Sequence, residues 1–131
     1  MIMQSRRQAR GKSAHARGHD AEAQAESALA RDGWQVLARR LRTPAGEIDL
    51  IADRDGITAV IEVKCRPTHT AAAFALQPKQ RRRLVAAAEI ALAEHPAWGR
   101  VGVRFDLILV DAAGVVRRVA DAFRAEAAYA A

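Results

Sequence analysis

Two apolar, β-branched runs, Gly46-Glu47-Ile48-Asp49-Leu50-Ile51-Ala52 and Ile57-Thr58-Ala59-Val60-Ile61-Glu62-Val63-Lys64, stand on either side of Asp53-Arg54-Asp55-Gly56. Such runs read as strands, and Asp-Gly between them is a strong hairpin signal. The chain is therefore committed to an antiparallel pair near its middle. With residues 53–56 as the turn, Ala52 faces Ile57, Leu50 faces Ala59 and Glu47 faces Glu62. Period-two alternation then puts Asp49, Val60, Glu62 and Lys64 on one face. Asp49 and Glu62 become diagonal neighbours, roughly 7–8 Å apart at the backbone. Three carboxylates and an ammonium inside apolar strands need a reason, because unpaired buried charge is costly. Glu47 opposite Glu62 destabilises a sheet unless a cation offsets the repulsion. A hard divalent cation, with oxygen ligands at about 2.0–2.6 Å, can bridge such a group. The pattern outlines a metal site at Asp49, Glu62 and Glu47.

The length of 131 residues allows one domain with a single modest core. Half of the residues are apolar but only 5% are aromatic, so that core is built from Ala, Val, Leu and Ile. No run approaches the roughly 18 uncharged apolar residues of a membrane span. The basic N-terminus is not followed by an apolar segment, which argues against a secretory signal. A lone cysteine, Cys65, excludes an internal disulfide and suits a reducing, cytoplasmic setting. The net charge of +6 is unevenly spread. Arg6, Arg7, Arg10, Lys12 and Arg17 lie in residues 1–17 with no acid; taking these five from 21 basic residues leaves 16 against 15 acidic ones. Residues 1–17 are thus expected to form a basic, disordered tail, and residues 18–131 one nearly neutral domain.

Along the domain, Gly18 to Arg31 reads as a helix with Asp20 as its cap, ended by Asp32-Gly33. Trp34 to Leu41 is a first strand, and Thr43 to Gly46 a turn into the hairpin. Residues 69–76 are a loop or an irregular helix start. Pro78 opens a second helix, with Leu84, Val85, Ala88, Ala91 and Leu92 at helical spacing up to Glu94. Val101 to Val110 and Val115 to Val119 are strands, and residues 121–129 a terminal helix. The order is αβββαββα, an α/β sheet covered by helices.

The motifs Gly46-Glu47-Ile48-Asp49-Leu50-Ile51 and Ile61-Glu62-Val63-Lys64-Cys65-Arg66 resemble those of the YraN-like family of small bacterial proteins. Gly18 to Ala25 with Glu22, Gly33-Trp34, Lys79 and Arg104-Phe105-Asp106 are similar to further landmarks of that family, so the likeness spans about residues 18–124. It implies a restriction-endonuclease-like fold, a mixed central sheet flanked by helices, with a PD-(D/E)xK nuclease site. Asp49 and Glu62 would then be metal-binding acids, Lys64 the catalytic lysine, and Glu22 an acid pointing toward the same site. Ile48 stands where the general motif has Pro, and Cys65 where the family usually has Thr.

Phosphodiester hydrolysis needs an activated water and relief of charge on the transition state and leaving oxygen. Mg²⁺ or Mn²⁺ between acids supplies both, and an ammonium such as Lys64 orients water or stabilises developing charge. Lys79, Arg81, Arg82 and Arg83 crowd the first turns of the second helix, where positive charge opposes the helix dipole. They are candidate contacts to nucleic-acid phosphates, joined by Arg66 and, more weakly, by Arg39, Arg40 and Arg42. His15, His19, His69 and His95 lack metal-ligand spacing, Cys65 lacks a partner, and Trp34 and Trp98 read as core anchors. With so few aromatics, backbone recognition of duplex or branched DNA fits better than a stacking surface. The expected protein is a divalent-metal-dependent DNA nuclease with no membrane partner, of a size that often pairs as a homodimer to cut both strands. The alternative is a nucleic-acid-binding module that keeps the fold and does not cut.

Overall fold

A computed structural model describes residues 20–125. The basic tail over residues 1–17 and the expected helix beyond residue 125 lie outside the described residues. Helix α1 covers residues 20–31 and is followed by β1 (Gln35–Thr43), β2 (Gly46–Arg54), β3 (Ile57–Cys65), α2 (His69–Phe74), α3 (Pro78–Glu94), β4 (Gly102–Val110) and β5 (Val116–Phe123). The strands form one sheet in the order β1-β2-β3-β4-β5. Only β3 and β4 are parallel; the other neighbours are antiparallel. A parallel pair cannot be joined by a tight turn, and α2 and α3 supply the crossover.

Each sheet face has its own apolar layer. Ala21, Ala25 and Leu29, four residues apart on α1, pack with Trp34, Leu50, Ala52, Ala59, Ile61 and Ile108. Leu84, Val85, Ala87, Ala88 and Ala91 of α3 pack on the other face with Ile48, Ile51, Val60, Leu107 and Leu109. The result is the helix-flanked mixed sheet of a restriction-endonuclease-like domain.

Four local expectations are corrected. The β2–β3 turn is two residues, not four: β2 runs to Arg54, which pairs with Ile57, and the ladder continues as Ala52↔Ala59 and Leu50↔Ile61. Asp55 (φ 55°) and Gly56 (φ 83°) both occupy the left-handed region, the backbone a tight type I′ turn demands. Glu47 is therefore not opposite Glu62. Asp20 already lies within α1 rather than capping it from outside. The segment 69–76 contains a short regular helix, capped by Thr68, whose hydroxyl accepts from the Ala71 N–H. Finally, residues 121–123 continue β5 instead of starting a helix. The Phe105↔Phe123 pair closes that ladder, with its rings stacked at 4.9 Å between centroids.

Candidate functional site

The β2–β3 ladder ends at Leu50↔Ile61, and the next residues outward are Asp49 and Glu62. Here the strands stop exchanging backbone bonds: the Val63 N–H donates to Asp49 Oδ2 at 2.8 Å. A side chain thus occupies the position of a strand partner, and the Asp49 carboxylate is fixed beside that of Glu62. The two carboxyls lie close enough for each to feel the other's charge. Lys64 Nζ lies 3.1 Å from Glu62 Oε1, with both side chains largely buried. Asp49 and Glu62 line a cavity of about 730 Å³ with Glu22 and Gln24 of α1, Arg66 after β3, and Asp111 after β4. Val60 instead packs into the layer under α3.

Burial first, then the Glu62 carboxylate, pushes the Asp49 carboxyl up from 3.8 to about 7, against the Val63 hydrogen bond that favours its ionised form. Glu22 adds a smaller repulsion. The unfolded chain ionises Asp49 near pH 4 and the folded chain near pH 7, so between these values the folded state holds the extra proton. Stability of the metal-free protein must then fall as pH rises through that window and remain low above it. Asp49→Asn keeps an oxygen for the Val63 N–H and removes the charge. At pH 8 this variant is expected to be more stable than the wild type by about 1–3 kcal/mol, with the gap closing toward pH 4. Thermal unfolding at pH 4, 6 and 8 in chelator measures it; an Asn variant that melts lower at pH 8 contradicts the assignment.

Other expected residues are placed differently. Glu47 is exposed, lies across from Arg42 in the β1–β2 ladder, and approaches its guanidinium at 3.7 Å; it does not join the acid pair. The arginines of β1 are engaged with acids: Arg39 with Glu26 at 2.7 Å and Arg40 with Glu22 at 2.9 Å. These two pairs tie α1 to the sheet edge and orient Glu22. Arg66 lines the cavity and donates to the Cys65 carbonyl at 2.7 Å. Arg83 lies against Gly46, so closely that a Cβ on that glycine would sit 2.8 Å from Arg83 Cδ. Lys79 and Arg82 are exposed on α3, and Arg81 is half-buried. Gln24, Asp111 and the Arg40–Glu22 tether were not legible as site residues, because tertiary packing alone brings them there.

The donor set suits a hard cation. Two neighbouring carboxylates, one held reluctant to ionise by burial and by the other, gain most from a shared positive charge. Among the described residues no three His, Cys, Asp or Glu side chains form a ready cage. A cation here would have two carboxylates and keep room for water and substrate oxygens, the usual habit of Mg²⁺.

A mixed sheet flanked by helices, with an acid pair and a lysine where two strands part, defines a restriction-endonuclease-like α/β domain. Within that class, the model of the family described as Uncharacterised protein family UPF0102 matches residues 21–110, and the chain belongs to this family, the YraN-like one whose motifs it carries. A UPF0102 protein of Granulibacter bethesdensis is 59% identical over 115 residues, covering 88% of this chain and 73% of that protein. UPF0102 proteins of Azorhizobium caulinodans and Acidiphilium cryptum are 46% and 48% identical over 117 and 122 residues. Those matches cover 89% of this chain and 89% of the first relative, and 92% of this chain and 94% of the second. Among the described residues no helix is long and apolar enough to cross a membrane.

Proposed function

We propose that this protein is a divalent-metal-dependent nuclease that hydrolyses phosphodiester bonds in DNA, with branched DNA a substrate to test first. One observation carries the reading: the half-buried Asp49 carboxyl beside the buried Glu62 carboxyl, with the Lys64 ammonium 3.1 Å from Glu62. Asp49 and Glu62 would hold Mg²⁺ or Mn²⁺. Such an ion, when bound, acidifies water and offsets charge on phosphate oxygens. The Val63 N–H fixes the Asp49 oxygen, so the carboxylate needs no reorganisation to receive the ion. Lys64 holds Glu62 in place and offers its remaining N–H donors to the attacking water or to the phosphate oxygen that gains charge. Arg66, at the cavity wall, is placed to contact a flanking phosphate. Glu22, oriented by Arg40, adds negative charge on the α1 side.

A binding module that does not cut is favoured by a different feature: Glu22 is paired to Arg40, and among the described residues no three His, Cys, Asp or Glu side chains come together as ligands. The two readings separate in a single series. The nuclease reading expects Mn²⁺ binding by calorimetry that disappears in Glu62→Gln, together with Mg²⁺- or Mn²⁺-dependent cleavage of linear, nicked or four-way-junction DNA. DNA binding without cleavage of any substrate would leave the module; metal binding that survives Glu62→Gln removes the site.

A further inference from the structure

At the opposite end of α1, three guanidinium groups converge on one indole. The ring of Trp34 lies 4.9 Å from Arg54, 5.0 Å from Arg104 and 5.5 Å from Arg118, measured from each guanidinium carbon to the centroid. These arginines come from β2, β4 and β5, so the cluster is built by the sheet and not by one flexible loop. Only Arg104 is tightly neutralised, by a bidentate pair to Asp106 at 2.8 and 2.7 Å. Arg54 donates to an uncharged group, the Asp32 carbonyl, at 3.0 Å. Arg118 reaches the Asp32 carboxylate only at 3.8 Å, and that side chain is 58% exposed, which makes the pair weak in water.

Two donors at this spot are buried and have no hydrogen-bond partner among the described residues: Trp34 Nε1 and Arg118 Nη1. The Trp34 residue is only 4% exposed. Buried donors are normally satisfied, and guanidinia gathered around one ring repel one another unless an anion joins them. Two under-neutralised arginines flanking a ring with an orphan N–H form a cradle for a group that carries negative charge and several acceptor oxygens. A phosphate has both.

We propose that Arg54 and Arg118, held over Trp34, form a phosphate-binding site that takes a backbone phosphate of the nucleic-acid substrate away from the cleavage point. The phosphodiester source rests on the nuclease reading; the phosphate chemistry does not. Arg54 is five residues along β2 from Asp49, a strand distance of roughly 16 Å. At roughly 3.4 Å per nucleotide along one strand, the contacted phosphate lies about five nucleotides from the scissile bond. Arg104 positions the ring and the neighbouring guanidinia through its bond to Asp106.

The test uses the full chain with Trp98→Phe, which leaves Trp34 as the sole indole of the two tryptophans. Indole emission is followed during titration with inorganic phosphate and with a duplex about two helical turns long. Both are expected to change the emission, and Arg54→Gln with Arg118→Gln is expected to abolish that response. In an otherwise wild-type chain, the same double substitution should weaken duplex binding roughly 10-fold at physiological salt. It should also lower the slope of log K against log salt by about 0.9, the value for one phosphate contact. Melting temperature and Mn²⁺ affinity should stay at wild-type values. A response to phosphate but not to the duplex keeps the anion site and overturns its nucleic-acid occupant. Duplex binding with an unchanged salt slope in the double variant leaves DNA binding intact and overturns this site. Silence toward both ligands reduces the cluster to cation–π packing.

Discussion

Lys64→Ala should reduce metal-dependent cleavage by roughly 10²–10⁴-fold, the range for losing one positioned proton-transfer or charge-stabilising group. Mn²⁺ binding should survive, because both carboxylates remain. Removal of the ammonium 3.1 Å from Glu62 leaves two neighbouring acids with no built-in counter-charge, which increases the demand for a cation. The informative companion is Lys64→Arg. Of 21 basic residues three are lysines (Lys12, Lys64 and Lys79), leaving 18 arginines. A chain that uses arginine almost everywhere else keeps a compact ammonium at this strand position, where the side chain is largely buried. A planar guanidinium needs more room and spreads its charge over five donors in a fixed fork, so Lys64→Arg is expected to stay near the alanine level. Single-turnover cleavage at saturating Mn²⁺ measures both variants. Cleavage at the wild-type rate in Lys64→Ala would remove lysine from the mechanism and leave the acids to act alone.

The convergence of Asp49 and Glu62 is legible in the sequence, whereas the hairpin register is not. Taking residues 53–56 as the turn displaced the pairing by two residues from the observed Arg54↔Ile57. A shift of two preserves the side-chain period, whereas a shift of one would have sent the acids to opposite faces. The Glu47–Glu62 opposition did not survive the shift, and with it went the case for Glu47 as a ligand. The start of the expected terminal helix, residues 121–123, differs for another reason. Ala120-Asp121-Ala122-Phe123 has good helix formers among its residues, but pairing with β4 and the Phe105–Phe123 stack override a preference worth only tenths of a kcal/mol per residue. Trp34 was legible as a core anchor, since large aromatics dominate burial. Its arginines were not, because they arrive from three strands separated by long stretches of sequence. The ion pairs Arg39–Glu26 and Arg40–Glu22 were hidden in the same way.

Asp106→Ala is expected to destabilise the fold by about 3–5 kcal/mol, the cost of breaking a buried ion pair from one side. Asp106 is 1% exposed on β4. Its Oδ1 accepts from Arg104 Nε at 2.8 Å and from the Asp121 N–H at 2.9 Å, while Oδ2 accepts from Arg104 Nη2 at 2.7 Å. The Asp121 bond matters because that residue has φ 52° and lies within the register shift between Phe105↔Phe123 and Leu107↔Val119 in the β4–β5 ladder. The carboxylate supplies the acceptor that the irregular ladder cannot. Alanine would leave the Arg104 guanidinium beside Trp34 without its anion and the Asp121 N–H without its acceptor. Asp106→Asn can still accept from Asp121 but loses the charge-assisted fork to Arg104, so its loss should be smaller, about 1–3 kcal/mol. Urea unfolding monitored by far-ultraviolet circular dichroism orders the three proteins as wild type, then Asn, then Ala. An alanine variant within about 1 kcal/mol of wild type, a difference typical of an exposed pair, would mean that water replaces the carboxylate and that Arg104 is held over Trp34 by the ring alone.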